Sequence, residues 1–247
     1  MITINPPAFD RFVFYGISCL AAAISIAWLV QCLRSDRAKF AQMFAGVASL
    51  WALSFSGSYF GWFQRLDILP PPAVLAGGFA FTLVWLAGTG SIGDALVKTM
   101  PYKKLVALQV FRLPLELMML RAASLAIMPV EFSMRGYNLD VLTGLSALLI
   151  WMWLAMKSPQ WIMLRVIRIW NAFGILCLTV IGALAVLTSP LVAAFGAAPL
   201  HVNTWILFFP YTLLPLVLVS AAIFGHIILT RKLALENATH PHSLKAT

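Results

Sequence analysis

Charge is scarce in this chain. Asp, Glu, Lys and Arg make up 10% of its 247 residues, with only 8 acids against 17 bases. Soluble domains carry about 25% charged and about 45–50% apolar residues. Here the hydrophobic share is 62% and the mean hydropathy is +0.92. A water-soluble fold of this size has too little interior for so much apolar surface, whereas a bilayer solvates it. Cysteine and histidine are also sparse, at 3 and 4 residues. Cys19, Cys32 and Cys177 form no C-x-x-C pair and fall in or beside apolar runs, which points to buried inert thiols rather than a disulfide framework or metal site. No basic region precedes the first apolar run, and Met1–Asp10 holds two prolines and an acid, so that run is expected to be a retained helix and not a signal peptide.

What is present is a series of long apolar runs. A spanning helix needs about 20 mostly apolar residues. Seven runs qualify, at about 12–33, 42–63, 73–96, 104–128, 139–157, 166–188 and 203–230. Arg34, Asp36, Arg37 and Lys39 close the first; Pro70, Pro71 and Pro72 separate the second from the third; Pro101, Pro129, Pro159 and Pro190 mark later boundaries. Membrane strands would alternate apolar and polar residues over about ten positions, and these runs do not. The expected fold is an all-α polytopic transmembrane bundle of about seven helices, forming one domain over 1–232 with a flexible cytoplasmic tail over 233–247.

The net charge of +9 and pI near 9.9 fit topology better than nucleic-acid binding. Basic residues favour the cytoplasmic side. Twelve of them, Arg34, Arg37, Lys39, Lys98, Lys103, Lys104, Lys157, Arg165, Arg168, Arg231, Lys232 and Lys245, fall on one side of the alternating loops, and only Arg11, Arg65 and Arg135 on the other. The N-terminus is therefore expected outside, the C-terminus in the cytoplasm, and the location a bacterial inner membrane. Trp62, Trp151, Trp153, Trp161 and Trp205 lie near run ends, where amphipathic rings favour the interface. Gly57-x-x-x-Gly61, and Gly77, Gly78, Gly88 and Gly90, read as close helix-packing surfaces. The tail's Asn237-Ala238-Thr239 sequon and its His240 and His242 carry no function in this reading.

The fourth run is the anomaly, because it holds Gln109, Arg112, Glu116 and Arg121. Ionisable groups at membrane depth face the protein interior, need partners, and mark functional sites. At about 1.5 Å of rise per residue, Arg112 lies roughly 12 Å in from Lys104. Gln109, Arg112 and Glu116 share a helix face, so Arg112 and Glu116 are expected to pair, with Pro114 kinking the helix between them. Arg121 faces away, and its partner is not evident from the sequence. Asp94, Asn171 and His226 come to comparable depth on other runs, below a bend expected at Pro210 and Pro215. Together Gln109, Arg112, Glu116, Asn171, His226 and Asp94 form the candidate ligand-binding set. Two readings compete, a satisfied structural network and a binding or proton-handling site. A second set, Arg135, Asn138 and Asp140 with Glu131 nearby, lies in the outer loop. Asn138 or Asp140 is expected to cap the next helix and Arg135 to pair with an acid, while His201 reads as an ordinary loop histidine.

Gln109-x-x-Arg112-x-x-x-Glu116, the stretch Arg135-Gly136-Tyr137-Asn138-Leu139-Asp140 with Gly144, and Phe209-Pro210, Pro215 and His226 resemble a family of uncharacterised bacterial seven-helix integral membrane proteins. That family's middle motif reads Gly-Arg-Asn-x-Asp, which this chain matches in part. The resemblance covers about the last 140 residues and implies no activity. Microbial rhodopsins need a lysine within the seventh helix, and zinc-dependent seven-helix hydrolases need several intramembrane histidines; neither is present. Pro159-Gln160 lacks the counterpart a PQ-loop transporter carries.

Three functions follow as expectations. The first is binding or transport of a small molecule or lipid, with Arg112 contacting an anion and Glu116 and His226 handling protons. The second is a membrane-embedded enzyme acting on a lipid-soluble substrate, with Glu116 or His226 as acid or base. The third is a structural or assembly subunit with a membrane-protein partner. Membrane lipids are partners in every case. No cofactor is indicated, no metal set is visible, and no nucleic acid is implicated.

Overall fold

A computed structural model describes residues 4–156 and 161–239, and within these ranges the chain is helical with no strands. The helices are α1 (Arg11–Ser35), α2 (Arg37–Tyr59), α3 (Pro72–Thr89), α4 (Ser91–Thr99), α5 (Tyr102–Ala107), α6 (Arg112–Ser124), α7 (Asp140–Met156), α8 (Trp161–Leu187) and α9 (Ser220–Thr239). A π-helical segment, Leu214–Val219, leads directly into α9. Among the described residues five stretches are long and apolar enough to cross a membrane: Arg11–Ser35, Arg37–Tyr59, Pro72–Thr89, Ile162–Leu187 and Leu214–Glu236. Large apolar side chains such as Phe12, Ile26, Phe44, Phe55, Leu75, Phe81, Trp85 and Leu176 stand exposed on them, which is the surface lipid covers.

The last rod is the axis of the bundle. Of its most apolar window 61% is buried, against 17% for α2 and 33% for α1. Its π-helical part packs on α1, α2 and α3, and its α-helical part on α3, α4, α5 and α8. Helices α5 and α6 both lie along α7, α6 also meets α1, and α7 meets α8.

Helix ends follow local chemistry. Asp10 caps α1 by accepting from Val13 N–H at 3.0 Å, and Asp36 caps α2 by accepting from Ala38 N–H at 2.7 Å. Pro72 opens α3, where a missing N–H leaves nothing unsatisfied. Helix α2 stops at Tyr59, short of the expected 63. Gly61 takes φ +72°, and Phe63 folds back so that its ring occupies the space a Cβ on Gly57 would need. Gly57-x-x-x-Gly61 is therefore a turn and a seat for Phe63, not a helix-packing surface. Gly88 does pack closely, against Ile227, whereas Gly77 and Gly78 meet nothing within 4 Å.

The expected third run is broken at Gly90 into α3 and α4. Arg231, on α9, repairs the break: its Nη1 donates to Gly88 O at 2.6 Å, and its Nη2 donates to the Asp94 carboxylate. A cation thus sits at the carbonyl end of α3 and an acid in the first turn of α4, both favourable to the helix dipoles. The expected fourth run is also interrupted. Residues 108–111 form tight turns, with Gln109 N–H donating to Val106 O at 2.9 Å and Leu113 N–H to Val110 O at 3.0 Å. Pro114 lies in the first turn of α6, where its missing N–H is harmless, so it helps start a helix rather than kink one. Ahead of the last rod, 203–213 is irregular: Pro210 stands in the loop with a cis bond after Phe209, and Pro215 lies within the π-helical segment.

Helix α9 continues to Thr239, so the stretch 233–239, read as tail, is helical. Lys157, Pro159, Gln160, His240, His242 and Lys245 lie outside the described residues, as do the side chains of Trp161 and the sequon. Cys32 and Cys177 are buried, but Cys19 is exposed on α1, contrary to expectation.

Candidate functional site

Among the described residues Arg112 is the largest fully buried side chain. It opens α6, directly after the interrupted turn. Its guanidinium makes two contacts with the Asp140 carboxylate, Nε to Oδ2 at 2.7 Å and Nη2 to Oδ1 at 2.5 Å. The expected partner, Glu116, is not the one it takes. Asp140 opens α7, where the helix N-terminus favours a negative charge, and it reaches Arg112 from that separate helix, while Glu116 is bound by Asn138. The two helices come this close because residue 144 is glycine: a Cβ there would stand 2.5 Å from Leu113 N.

The third guanidinium nitrogen, Nη1, lies 2.9 Å from His226 Nε2. Arginine has only donors, so Nε2 accepts and the imidazole is neutral with its proton on Nδ1. Nδ1–H then donates to Asn171 Oδ1 at 2.8 Å, Asn171 Nδ2 donates to Thr230 Oγ1 at 2.7 Å, and the Thr230 hydroxyl returns to His226 O at 2.8 Å. Gly174 makes room for the ring, since a Cβ there would stand 2.4 Å from His226 Cε1. Helices α6, α7, α8 and α9 are thus joined by one directed chain of hydrogen bonds.

Glu116 lies one turn along from Arg112 and is equally buried, each at 1% exposure. Its Oε1 accepts from Asn138 Nδ2 at 2.8 Å. Asn138 also donates to Phe132 O at 2.8 Å and accepts from Asp140 N–H at 2.9 Å, so it caps α7 as expected while holding Glu116. Glu116 Oε2 has no hydrogen-bond partner.

Glu116 is among the residues that line a cavity of about 80 Å³ between α6, α8 and the π-helical segment. Leu115, Leu178, Ile181 and Leu218 give it apolar walls, and Arg112, Glu116, Asp140, Asn203 and Trp205 supply its polar ones. Asn203 and Trp205 are buried, and neither the Asn203 amide atoms nor Trp205 Nε1 has a hydrogen-bond partner. The Asn203 backbone donates to Thr188 O at 2.8 Å, fixing it at the end of α8. Nearby, His201 Nδ1 lies 2.6 Å from Glu131 Oε1, and Tyr137 stacks on Phe195 with centroids 5.9 Å apart, so the loop before α7 and the loop after α8 are fastened to each other. His201 is therefore more than a plain loop residue. A larger cavity of about 310 Å³, mostly apolar, lies between α1, α2, α3 and the last rod.

The candidate residues separate into groups. Arg112, Glu116, Asn138, Asp140, Asn171 and His226 converge. Gln109 is buried against α9, its Nε2 donating to Ala222 O at 3.1 Å, and makes no hydrogen bond to the cluster. Asp94 belongs to the Arg231 junction on the surface, not to the cluster. Arg135 is exposed and, among the described residues, forms no ion pair with Glu131 or Asp140; both acids are turned inward to other partners. Arg121 meets Asp10 in a two-pronged pair at 2.7 and 3.1 Å. Trp205, read as an interface ring, is inside. Asn203 escaped notice, although an amide in the apolar stretch 202–218 was the available signal. Among the described residues no three His, Cys, Asp or Glu side chains are placed to hold a metal ion.

No family model matches the chain, and no curated protein or solved structure matches it. The fold and site define a class, a helical membrane protein with a buried, charged polar cluster beside a cavity.

Proposed function

We propose that this chain is a seven-crossing bacterial inner-membrane protein, N-terminus outside and C-terminus cytoplasmic, that binds or moves a small molecule at the Arg112–Asp140–Glu116 site. The observation that carries the reading is the set of buried, unpartnered polar atoms on residues that line one cavity. A network serving only as glue satisfies its members, because an unpartnered buried polar group costs about 1–3 kcal/mol. Here Glu116 Oε2, both Asn203 amide atoms and Trp205 Nε1 have no hydrogen-bond partner, and their residues line one cavity.

Further support comes from the backbone. Irregular backbone at membrane depth is tolerated where protein or a cavity surrounds it, and broken helices are a recurrent means of building intramembrane sites. The interrupted turn before Arg112 and the π-helical wall of the cavity are such features. The fifteen basic residues other than Arg112 and Arg121, twelve against three across the loops, support the orientation. Of the residues in the resembling stretches, Arg112, Glu116, Asn138, Asp140 and His226 are gathered at the site, while Gln109 and Arg135 are not.

The proposed ligand contact differs from the sequence expectation. Arg112 is already neutralised by Asp140, so Glu116, Asn203 and Trp205 present the open positions. The test is mass spectrometry of small molecules retained by protein purified from membranes in mild detergent. A compound held by the wild type and depleted about tenfold or more in equally folded Glu116→Gln supports the reading. Identical small-molecule content in both proteins sinks it.

A further inference from the structure

The larger cavity, of about 310 Å³ between α1, α2, α3 and the last rod, shares no lining residue with the one beside Arg112. The two press on different faces of the rod, Val217, Ser220 and Phe224 for the larger and Leu214, Leu218 and Ala222 for the smaller. The larger one is buried at Trp28, Leu50, Val84 and Phe224, but Gln42, Leu86 and Ser91 on its lining are exposed. It is therefore a groove that runs inward from an open mouth between α2 and α3. Along α2 it reaches from Gln42 to Leu50, about 12 Å at about 1.5 Å of rise per residue. One leaflet's hydrocarbon is about 15 Å deep, half of a core of about 30 Å. The groove is thus nearly one leaflet long, and it begins at the end of the bundle where α1 passes into α2.

Its depth is hydrocarbon and aromatic. Leu50, Leu83, Val84 and Val217 line it, and Trp28 meets Phe224 edge to face with ring centroids 4.8 Å apart. The Ser25 hydroxyl is already engaged, donating to Ala21 O at 2.7 Å and accepting from Trp51 Nε1 at 3.2 Å, and Ser220 Oγ lies 3.5 Å from Pro215 O. An apolar cavity stays free of water, and one of about 150 Å³ takes up benzene, so this groove holds roughly a dozen carbons. Left empty, it forfeits dispersion contacts along its walls. In a bilayer the molecules at its mouth are lipid chains.

The rim differs in kind. Lys39, in the first turn of α2, donates from Nζ to Ser91 Oγ at 3.1 Å, and Ser91 lines the groove. An ammonium has three donors, and among the described residues no acid pairs with this one. Helix α4 begins at Ser91 without a side-chain cap, so its first N–H groups present a positive end beside Lys39. Arg34 and Arg37 stand exposed at the same end of the bundle. The acids there are engaged, Asp36 in capping α2 and Asp94 with Arg231. The complement of this rim is an anion.

We propose that the groove takes one acyl chain of an anionic phospholipid, with the lipid's phosphate at Lys39 and Ser91. The apolar depth selects the chain and the basic rim selects the headgroup. A basic side chain at the membrane surface favours anionic lipid by about fivefold.

The experiment is fluorescence quenching of the full chain in phosphatidylcholine vesicles, with bromine on the acyl chains of either phosphatidylglycerol or phosphatidylcholine at equal mole fraction. Bromine quenches tryptophan on contact, and subtracting the response of Trp28→Phe isolates Trp28. That ring is 2% exposed, so lipid reaches it by entering the groove. Trp28 is expected to be quenched by both lipids, and by the anionic one with about fivefold higher apparent affinity. Lys39→Gln should abolish that preference. Ala87→Phe puts a ring into the groove and should shield Trp28 from both lipids. Native mass spectrometry of the wild type, which needs no substitution, should show phosphatidylglycerol retained over phosphatidylcholine. Trp28 untouched by either lipid, as when another protein chain fills the groove, overturns the proposal, and so does full quenching in folded Ala87→Phe. Equal quenching by the two lipids in the wild type overturns the anionic headgroup. The Arg112 site stands or falls separately, because none of these substitutions touches its lining.

Discussion

Replacing Asp140 by Asn leaves the Arg112 guanidinium buried with its counter-charge gone. The substitution is nearly isosteric, so packing and the α7 cap at Asn138 are kept, and the loss is electrostatic. Both side chains are almost fully enclosed, and the two N···O contacts measure 2.7 and 2.5 Å. Breaking one partner of such a buried pair costs about 3–5 kcal/mol, most of it the penalty of an uncompensated charge. Native proteins hold only about 5–15 kcal/mol in total, so the variant should be gravely weakened. At roughly 2–4 °C per kcal/mol for a chain of this size, the melting temperature should drop by about 6–20 °C. The assay is detergent-solubilised thermal unfolding followed by tryptophan fluorescence. The double variant Asp140→Asn with Arg112→Met removes the stranded cation and should recover most of the drop, giving a coupling energy of similar size. A single variant within about 2 °C of the wild type, or a double variant losing the full sum, would refute the reasoning, since a solvated or lipid-facing Arg112 behaves that way.

Other outcomes follow from the same geometry. Gly144→Ala places a Cβ against the backbone of Leu113 and should destabilise by about 1–3 kcal/mol, whereas Gly77→Ala meets open space and should be neutral or gain up to about 1 kcal/mol of helix propensity; paired melting curves compare them. Asp10 is held down to about 2 from its ordinary 3.8, chiefly by the Arg121 hydrogen bond. Its contribution is thus complete above the unfolded value near 4 and is lost as pH falls toward 2, and Arg121→Ala should return its titration toward 3.8, as seen by carbon NMR of labelled aspartate.

Much of this structure was legible in the sequence because membrane helices are written in composition. Long apolar runs, proline boundaries and the scarcity of charge were enough to indicate a helical bundle. The cluster was legible in part for the same reason: Arg112, Glu116, Asn171 and His226 stand out where few polar residues occur. The pairing among them was not. Spacing along one helix made Glu116 the natural partner of Arg112, but spacing contains nothing about Asp140, which arrives from another element through the close approach at Gly144. The break in 104–128 was likewise hidden, since Leu108-Gln109-Val110-Phe111 is nearly as apolar as the rest of its run, whereas Gly88-Thr89-Gly90-Ser91 was a local sign of the break in 73–96. At Gly90 the break depends on Arg231, more than a hundred residues away in the chain, and no local pattern announces that dependence. Trp205 shows the converse error: position near a run end suggests an interface, and only the fold reveals that the segment turns inward.

The central position of the last rod has a consequence for biogenesis. Every other helix touching this axis emerges from the ribosome earlier, yet each lacks its innermost neighbour until Leu214–Thr239 arrives. Until then Arg112 can hold Asp140, but the imidazole side of the guanidinium and the carbonyl at Gly88 have no mate. The nascent intermediate is a horseshoe with polar groups along its inner rim, a form that insertases and membrane proteases are equipped to recognise. Completion of the protein is therefore a closing step, and a chain stopped before Leu214 should be degraded rather than accumulate as a smaller bundle.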